Sequence, residues 1–418
     1  MEGVEIKVKD SKKGRGLYSN QHYKVGDVIL EEAPLVSCQF AWNELYQYTA
    51  CENCLRSLET AEAMAQRLTS NPALVLPFPE CCEVKQDLIV HCPNCQVSYC
   101  GTACRDRAWA SHHKALCLGR DRENPEHPLN KLHDTWRNIH FPPETASVML
   151  LLKMIAMVKQ AEDSVSVLSE FSQFVQATVN EEEHAVHKLL GSQFQVEKCP
   201  YQLRQWIPVG FHYVLGSQFQ DQLEMLRHMV SDTFYDEKVQ QWLTPEGFRS
   251  MFALMGTNQQ GIGSSSISVW VKNCDALELG EGEREQLDAF IDQLYKDLDK
   301  VSGTFLNCEG VGLYSMQSAC NHSCRPNAEI EFNNQNYVLS LVAVEDISPE
   351  EEICISYLDE CDKERSRHSR QKMLRENYLF MCGCPKCLEQ ADDPDVTSEE
   401  DSDEEEEEEE EEDMNDIY

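Results

Sequence analysis

Hydrophobic and polar positions follow three regimes along this chain. Near the start, Val4, Ile6 and Val8 alternate with polar neighbours. That spacing predicts a strand; "KKGRG" (12–16) reads as a turn, and "GDVILEEAPLV" (26–36) as a second extended run. From about residue 130 to 300 the apolar residues fall three or four apart. The clearest cases are "ASVMLLLKMIAMVKQA" (146–161), "QDQLEMLRHMV" (220–230) and "REQLDAFIDQLYKDL" (284–298), each predicting a helix. Strand character returns at "AEIEF" (328–332), "NYVLSLVAV" (336–344) and "EEICISYL" (351–358), and a basic helix is predicted over 363–376. The greasiest run, 147–158, is interrupted by Lys153 and is too short to span a bilayer.

Composition changes this picture in two ways. With 418 residues and 41% hydrophobic content, the chain can build two or three domains with cores of their own. Its formal charge of −37 is extreme. Residues 389–418 hold 19 Asp and Glu without a Lys or Arg, and removing those still leaves −18 on residues 1–388. Such a field repels phosphate backbones and favours basic partners, so direct nucleic-acid binding is not expected. The last segment, with nine consecutive glutamates at 404–412, cannot bury a core and is expected to be disordered.

Twenty cysteines raise the question of a disulfide scaffold. "MEGVEIKVKDSKKGRG" contains no apolar signal region, so the expectation is a reducing compartment and cysteines that bind metal or sit buried. Seven of them form a ladder: Cys51 and Cys54, Cys92 and Cys95, Cys100 and Cys104, then Cys117. A two-residue gap lets both thiolates of a pair reach one tetrahedral zinc ion. Alternating pairs predict one site from Cys51, Cys54, Cys100 and Cys104. They predict another from Cys92, Cys95, Cys117 and a histidine. Spacing alone does not separate His112 from His113; we assign the place to His113. Cys81 and Cys82, in the 37-residue gap between Cys54 and Cys92, read as inert buried thiols. "CGCPKC" adds three thiolates, Cys382, Cys384 and Cys387, and needs a fourth donor, for which Cys324 in "CNHSCRPN" (320–327) is the natural choice.

Five motifs in this order resemble one family. "GRG" (14–16), the cysteine ladder (51–117), "NHSC" (321–324), "ISY" (355–357) and "CGCPKC" (382–387) together are similar to the SET-and-MYND protein lysine methyltransferases. The resemblance implies an α+β fold: a SET-domain β-fold with a pseudoknot, split by a MYND-type zinc finger and a helical insertion, then a zinc-binding post-SET segment. The expected divisions are 1–50 for the first SET part, 51–117 for the finger with a long internal insertion and 118–302 for the helical insertion. They continue with 303–360 for the catalytic SET part, 361–388 for the post-SET segment and 389–418 for the acidic tail. The resemblance also assigns roles. Gly14, Arg15, Gly16, Asn258, Asn321, His322 and Phe380 would contact S-adenosylmethionine. Tyr357 would be the catalytic tyrosine, with Tyr378 and Tyr357 lining the lysine channel. Cys324, Cys382, Cys384 and Cys387 would hold a third zinc ion. Two departures stand out: the stretched finger spacing, and an acidic tail where family members carry a helical-repeat domain.

The function implied is S-adenosylmethionine-dependent lysine N-methylation of basic proteins, histone tails or lysine-rich ribosomal proteins among them. An adaptor of another class, a catalytically silent MYND module docking partner peptides, is the competing reading. It has no need of Asn321, His322 and Tyr357 together. A monomer found in nucleus and cytoplasm, with no membrane or nucleic-acid partner, completes the expectation.

Overall fold

The computed structural model describes residues 3–10, 13–139, 147–180, 185–186, 219–303 and 310–394. The acidic tail beyond 394 lies outside them, so its expected disorder is untested. Strands β1 (Val4–Asp10) and β2 (Gly14–Ser19) form an antiparallel hairpin with Ile6 opposite Leu17. Gly14 takes φ +74° at the turn, a backbone state that costs glycine little. The predicted run 26–36 divides into β3 (Val28–Glu32) and β4 (Val36–Gln39), which belong to different sheets. Pro34, which has no N–H for a ladder, lies between them.

Short hairpins follow as β5 (Val90–His91) with β6 (Ser98–Tyr99), and β7 (Val179–Asn180) with β8 (Ala185–Val186). The remaining strands are β9 (Gln259–Ile262), β10 (Gly310–Leu313), β11 (Asn321–His322), β12 (Ala328–Glu331), β13 (Leu339–Ala343) and β14 (Glu352–Ile355). Three small sheets result, ordered β1-β2-β14-β11, β4-β10-β9 and β12-β13-β3. Leu17, Leu30, Ile262, Tyr314, Leu341 and Ile353 fill a common core between them. The parallel pairing of β11 with β14 joins 321–322 to 354–355, the juxtaposition that the expected pseudoknot requires.

A larger helical core lies beside the sheets. Its centre is the Val148–Gln160 helix, buried on nearly all sides, as its largely apolar sequence demands. Lys153 is 5% exposed there, and it is paired: Nζ lies 2.7 Å from Glu52 Oε1 and donates to the Glu52 carbonyl at 3.1 Å. That buried ion pair pins the finger's first loop to the helical core. The predicted helices at 220–230 and 284–298 lie within Phe219–Phe234 and Glu281–Ser302. Among the described residues no helix is long and apolar enough to cross a membrane.

The structure adds detail to two of the expected divisions. The long insertion expected inside the cysteine ladder belongs to the helical core. Its Ala61–Leu68 helix, N-capped by Thr60, buries Met64 and Ala65 in the helical core together with Cys81 and Cys82. And β9, placed by sequence in the helical insertion, is a strand of the SET sheet, with Gly310 opposite Ile262. Its four residues, "QQGI", carry no alternation that would have announced it.

Candidate active site and metal centres

Twelve predicted ligands form three clusters. Ligand atoms of Cys51, Cys54, Cys100 and Cys104 lie within 4.8 Å of one another, as do those of Cys92, Cys95, His113 and Cys117, and those of Cys324, Cys382, Cys384 and Cys387. Sulfur separations of 3.5 Å (Cys100–Cys104), 3.7 Å (Cys54–Cys100), 3.8 Å (Cys92–Cys117) and 3.6 Å (Cys324–Cys387) are too long for disulfides. They match the edge of about 3.8 Å expected for a tetrahedron with zinc–sulfur bonds of about 2.3 Å. The residues therefore fit three zinc ions. The choice of histidine is settled by geometry. His113 Nε2 sits 3.3 Å from Cys95 Sγ, whereas His112 faces Ser111 Oγ at 2.7 Å and its buried Nε2 has no partner. Cys81 and Cys82 join none of the clusters among the described residues, and burial pushes the Cys82 thiol up to about 11, so it stays protonated.

The remaining candidates gather between the third cluster and the β1-β2-β14-β11 sheet. Asn321 donates its two amide hydrogens inward, to the Arg15 carbonyl (3.1 Å) and to Glu352 Oε1 (2.7 Å). Its Oδ1 is left as an outward acceptor. Glu352 also meets Lys13 at 3.1 Å, so one carboxylate ties the GRG turn to the NHSC segment. Gly16 leaves room for these side chains: a Cβ there would stand 2.9 Å from Glu352 Oε1 and from Tyr18 Cε2, so one of them would have to shift. Arg15 is half-buried with no acidic partner among the described residues, and burial lowers its pKa. A guanidinium without an acidic partner among the described residues and an amide oxygen on β11 suit a ligand carrying both carboxylate and ammonium, as the amino-acid end of S-adenosylmethionine does.

Four rings stand on the other side. Tyr357 stands 4.7 Å from Tyr378, 6.2 Å from Phe380 in an edge-on contact and 5.4 Å from His322, while His322 and Phe380 lie 6.1 Å apart. Phe380 is brought round by Leu379, whose φ of +63° ends the Arg367–Tyr378 helix, and Asn180 Nδ2 holds the Leu379 carbonyl at 2.6 Å. Tyr357 donates its own hydroxyl hydrogen to the Cys320 carbonyl at 2.7 Å. Burial, with the Cys320 thiol beside it, holds that hydroxyl well above the ordinary tyrosine value.

Two of the candidates are also held by the protein itself. The His322 ring is engaged at both nitrogens. Nδ1 accepts from the Tyr357 N–H at 3.0 Å, which places the proton on Nε2, 3.3 Å from Cys324 Sγ. Burial keeps the ring neutral, with its pKa pushed down to about 4. The ring links metal cluster and tyrosine, and the His322 backbone is left to hydrogen-bond a ligand. Asn258 is likewise engaged: its amide donates to the carbonyls of Val175 and Leu254, both at 2.8 Å, and its oxygen accepts from Val175 N at 3.3 Å. It fastens the segment leading to β7 with both amide hydrogens in use, so a cofactor could meet only its oxygen.

Sequence reasoning missed Glu352, Asn327 and Arg370. Asn327 Oδ1 accepts from Cys354 N at 2.8 Å and its Nδ2 donates to the Glu352 carbonyl at 2.9 Å, holding β14 beside the NHSC segment. Its position inside "CNHSCRPN" was the available signal. Glu352 and Arg370 had none, because their partners are distant in sequence.

A turn of glycines facing an amide, a tyrosine boxed by aromatics, and thiolate clusters on a strand pairing of this kind define a SET-domain methyltransferase. Known proteins agree. The SET domain family matches residues 164–358. Protein-lysine N-trimethyltransferase SMYD5 of Gallus gallus is 55% identical over 396 residues, covering 95% of this chain and 88% of that protein, and the Homo sapiens protein of the same name is 55% identical over 397 residues, 95% and 89%. Histone-lysine N-methyltransferase SMYD3 of Homo sapiens matches at 42% identity over 99 residues, 23% of this chain and 22% of that protein. A crystal structure of the SET domain of LSMT bound to lysine and AdoHcy aligns with a TM-score of 0.34 at 14% identity, over 91% of this chain and 53% of that one, too distant to bear on function. The chain belongs to the SMYD5 family of SET-and-MYND protein-lysine methyltransferases.

Proposed function

We propose that this chain transfers methyl groups from S-adenosylmethionine to lysines in basic proteins, carrying them to the trimethyl state named for its relatives. The observation that supports this most is the Tyr357 hydroxyl, proton engaged on Cys320, inside the ring of Tyr378, Phe380 and His322. S-adenosylmethionine supplies a methyl carbon made electrophilic by its sulfonium. Arg15 and the Asn321 oxygen would hold the amino-acid end, and the wall at Phe380 would exclude water.

The chain's other task is to present a neutral amine. A free lysine has a pKa near 10.4, so at pH 7 roughly one in 2,000 is neutral, a cost of about 4–5 kcal/mol. An aromatic channel desolvates the ammonium and lowers its pKa, so no carboxylate base is required. With its hydrogen donated to Cys320, the Tyr357 oxygen keeps lone pairs for the incoming amine and orients it without removing its proton. Alignment of this kind supplies much of the rate gain.

The residual charge of −18 outside the tail favours lysine-rich substrates, and histone tails and ribosomal proteins are the classes we propose. We further propose a monomer working in nucleus and cytoplasm, with the finger free to take partner peptides. A silent adaptor accounts for none of the pocket's filled positions. Purified protein with labelled S-adenosylmethionine should mark lysines of a few basic proteins in cell extract, read by mass spectrometry. Label on no lysine at all would reject the proposal.

A further inference from the structure

Arg370 is 1% exposed, and no carboxylate approaches it among the described residues. A buried cation without a counter-charge is strongly disfavoured, so its partners must carry negative charge. They are sulfur atoms. Nε donates to Cys324 Sγ at 3.4 Å and Nη2 to Cys387 Sγ at 3.7 Å, while Nη1 reaches the Arg365 carbonyl and Nη2 the Gln390 side-chain oxygen at 2.7 Å. Four thiolates around one zinc ion carry a net charge of −2, so one guanidinium offsets half of it. At the finger's all-cysteine cluster the hydrogen bond to sulfur comes instead from a neutral group, the Asn53 amide 3.5 Å from Cys104, and Arg107 acts on Cys104 and Cys54 through its charge alone among the described residues.

The same sulfur leads to the pocket. Cys324 Sγ lies 3.3 Å from His322 Nε2, and His322 Nδ1 takes the backbone hydrogen of Tyr357. We propose that Arg370 is the counter-cation of the post-SET zinc centre and, through Cys324 and His322, a positioning residue for Tyr357. It touches neither substrate nor cofactor. Its fork fixes where Cys324 sits, and Cys324 fixes the ring from which the tyrosine backbone hangs. This rests on reading the third cluster as a zinc site.

The test follows zinc release from the full-length protein into a chelating dye, comparing wild type with Arg370→Met and Arg370→Lys. Loss of such an outer partner typically weakens metal binding 10- to 100-fold. Arg370→Met should therefore release one zinc of three at least about tenfold faster, with the two finger ions unchanged. Arg370→Lys, which keeps the charge and loses the fork, should fall between it and wild type. S-adenosylmethionine affinity, measured by calorimetry before release, should weaken in the same order. If Arg370→Met does not fold, Arg370→Lys decides by the same release measurement. Three zincs released from both variants at the wild-type rate would overturn the role given to Arg370. Two zincs in wild type would overturn the third site itself.

Discussion

At the scale of single residues the account turns on one hydroxyl. Tyr357→Phe removes the donor to Cys320 and leaves that carbonyl unpaired, which should cost only about 1 kcal/mol of stability. Cofactor affinity should be unchanged by calorimetry, while single-turnover methylation slows at least about tenfold, since an orienting contact is lost. The pH dependence separates orientation from base catalysis. Burial raises the Tyr357 pKa, so the neutral form persists beyond pH 10 and cannot produce a break at neutral pH. Wild type and Tyr357→Phe should both speed up with pH as the substrate lysine deprotonates. A break near pH 7–8 that vanishes in the variant would make the tyrosine a base after all. Residue types at the site were largely legible in sequence, because motifs of cysteine, asparagine and tyrosine announce themselves. What the side chains do was less so. His322 and Asn258 are expected at the cofactor, and only three-dimensional neighbours such as Val175 and Cys324 reveal that the His322 ring and the Asn258 amide hydrogens are engaged by the protein.

At the scale of elements, segments with a visible period or alternation are legible in sequence, the four-residue β12 and β14 among them, and segments without one are not. The 148–160 and 281–302 helices have enough turns to show their period, whereas β9, β10 and β11 are four residues or fewer and owe their existence to pairing partners. The join between finger and sheet shows how tight that pairing is. Leu55, one residue past the ligand Cys54, is fully buried against β10, where a Cβ on Gly310 would lie 2.1 Å from the Cys38 carbonyl oxygen and 2.3 Å from Leu55 Cδ2. Gly310→Ala should therefore destabilise the protein by about 3 kcal/mol or more through overpacking, seen as a lowered Tm. An unchanged Tm would mean that the β4-β10 pairing can yield. The buried Lys153–Glu52 pair makes a second seam: Lys153→Met alone leaves a carboxylate without its partner, and about 3 kcal/mol should be lost. Adding Glu52→Gln should recover part of it, and additive losses in the double variant would argue against the coupling.

At the scale of the whole molecule, charge and metal set the behaviour. The acidic tail should concentrate basic substrates by long-range attraction. Truncation to test this belongs after residue 394, because Glu389 pairs with Arg325 and Gln390 holds Arg370. Such a truncation removes 16 acidic residues and should raise KM for a basic protein at low salt, with kcat little changed. Equal KM at low ionic strength would exclude steering. Neither the insertion's share in the helical core nor the β11-β14 pairing could be read from periodicity, because both depend on residues tens to hundreds of positions apart.

The central claim is that one loop, 320–327, serves cofactor and metal together, so that zinc holds the methyl-transfer pocket closed. Cys387→Ser tests it most directly, by elemental analysis and labelled methyl transfer on the same protein. The account expects three zincs and activity in wild type. In the variant it expects two zincs, weakened S-adenosylmethionine binding, no methylation, and a helical signal close to normal. Normal methylation by a variant holding two zincs would contradict it.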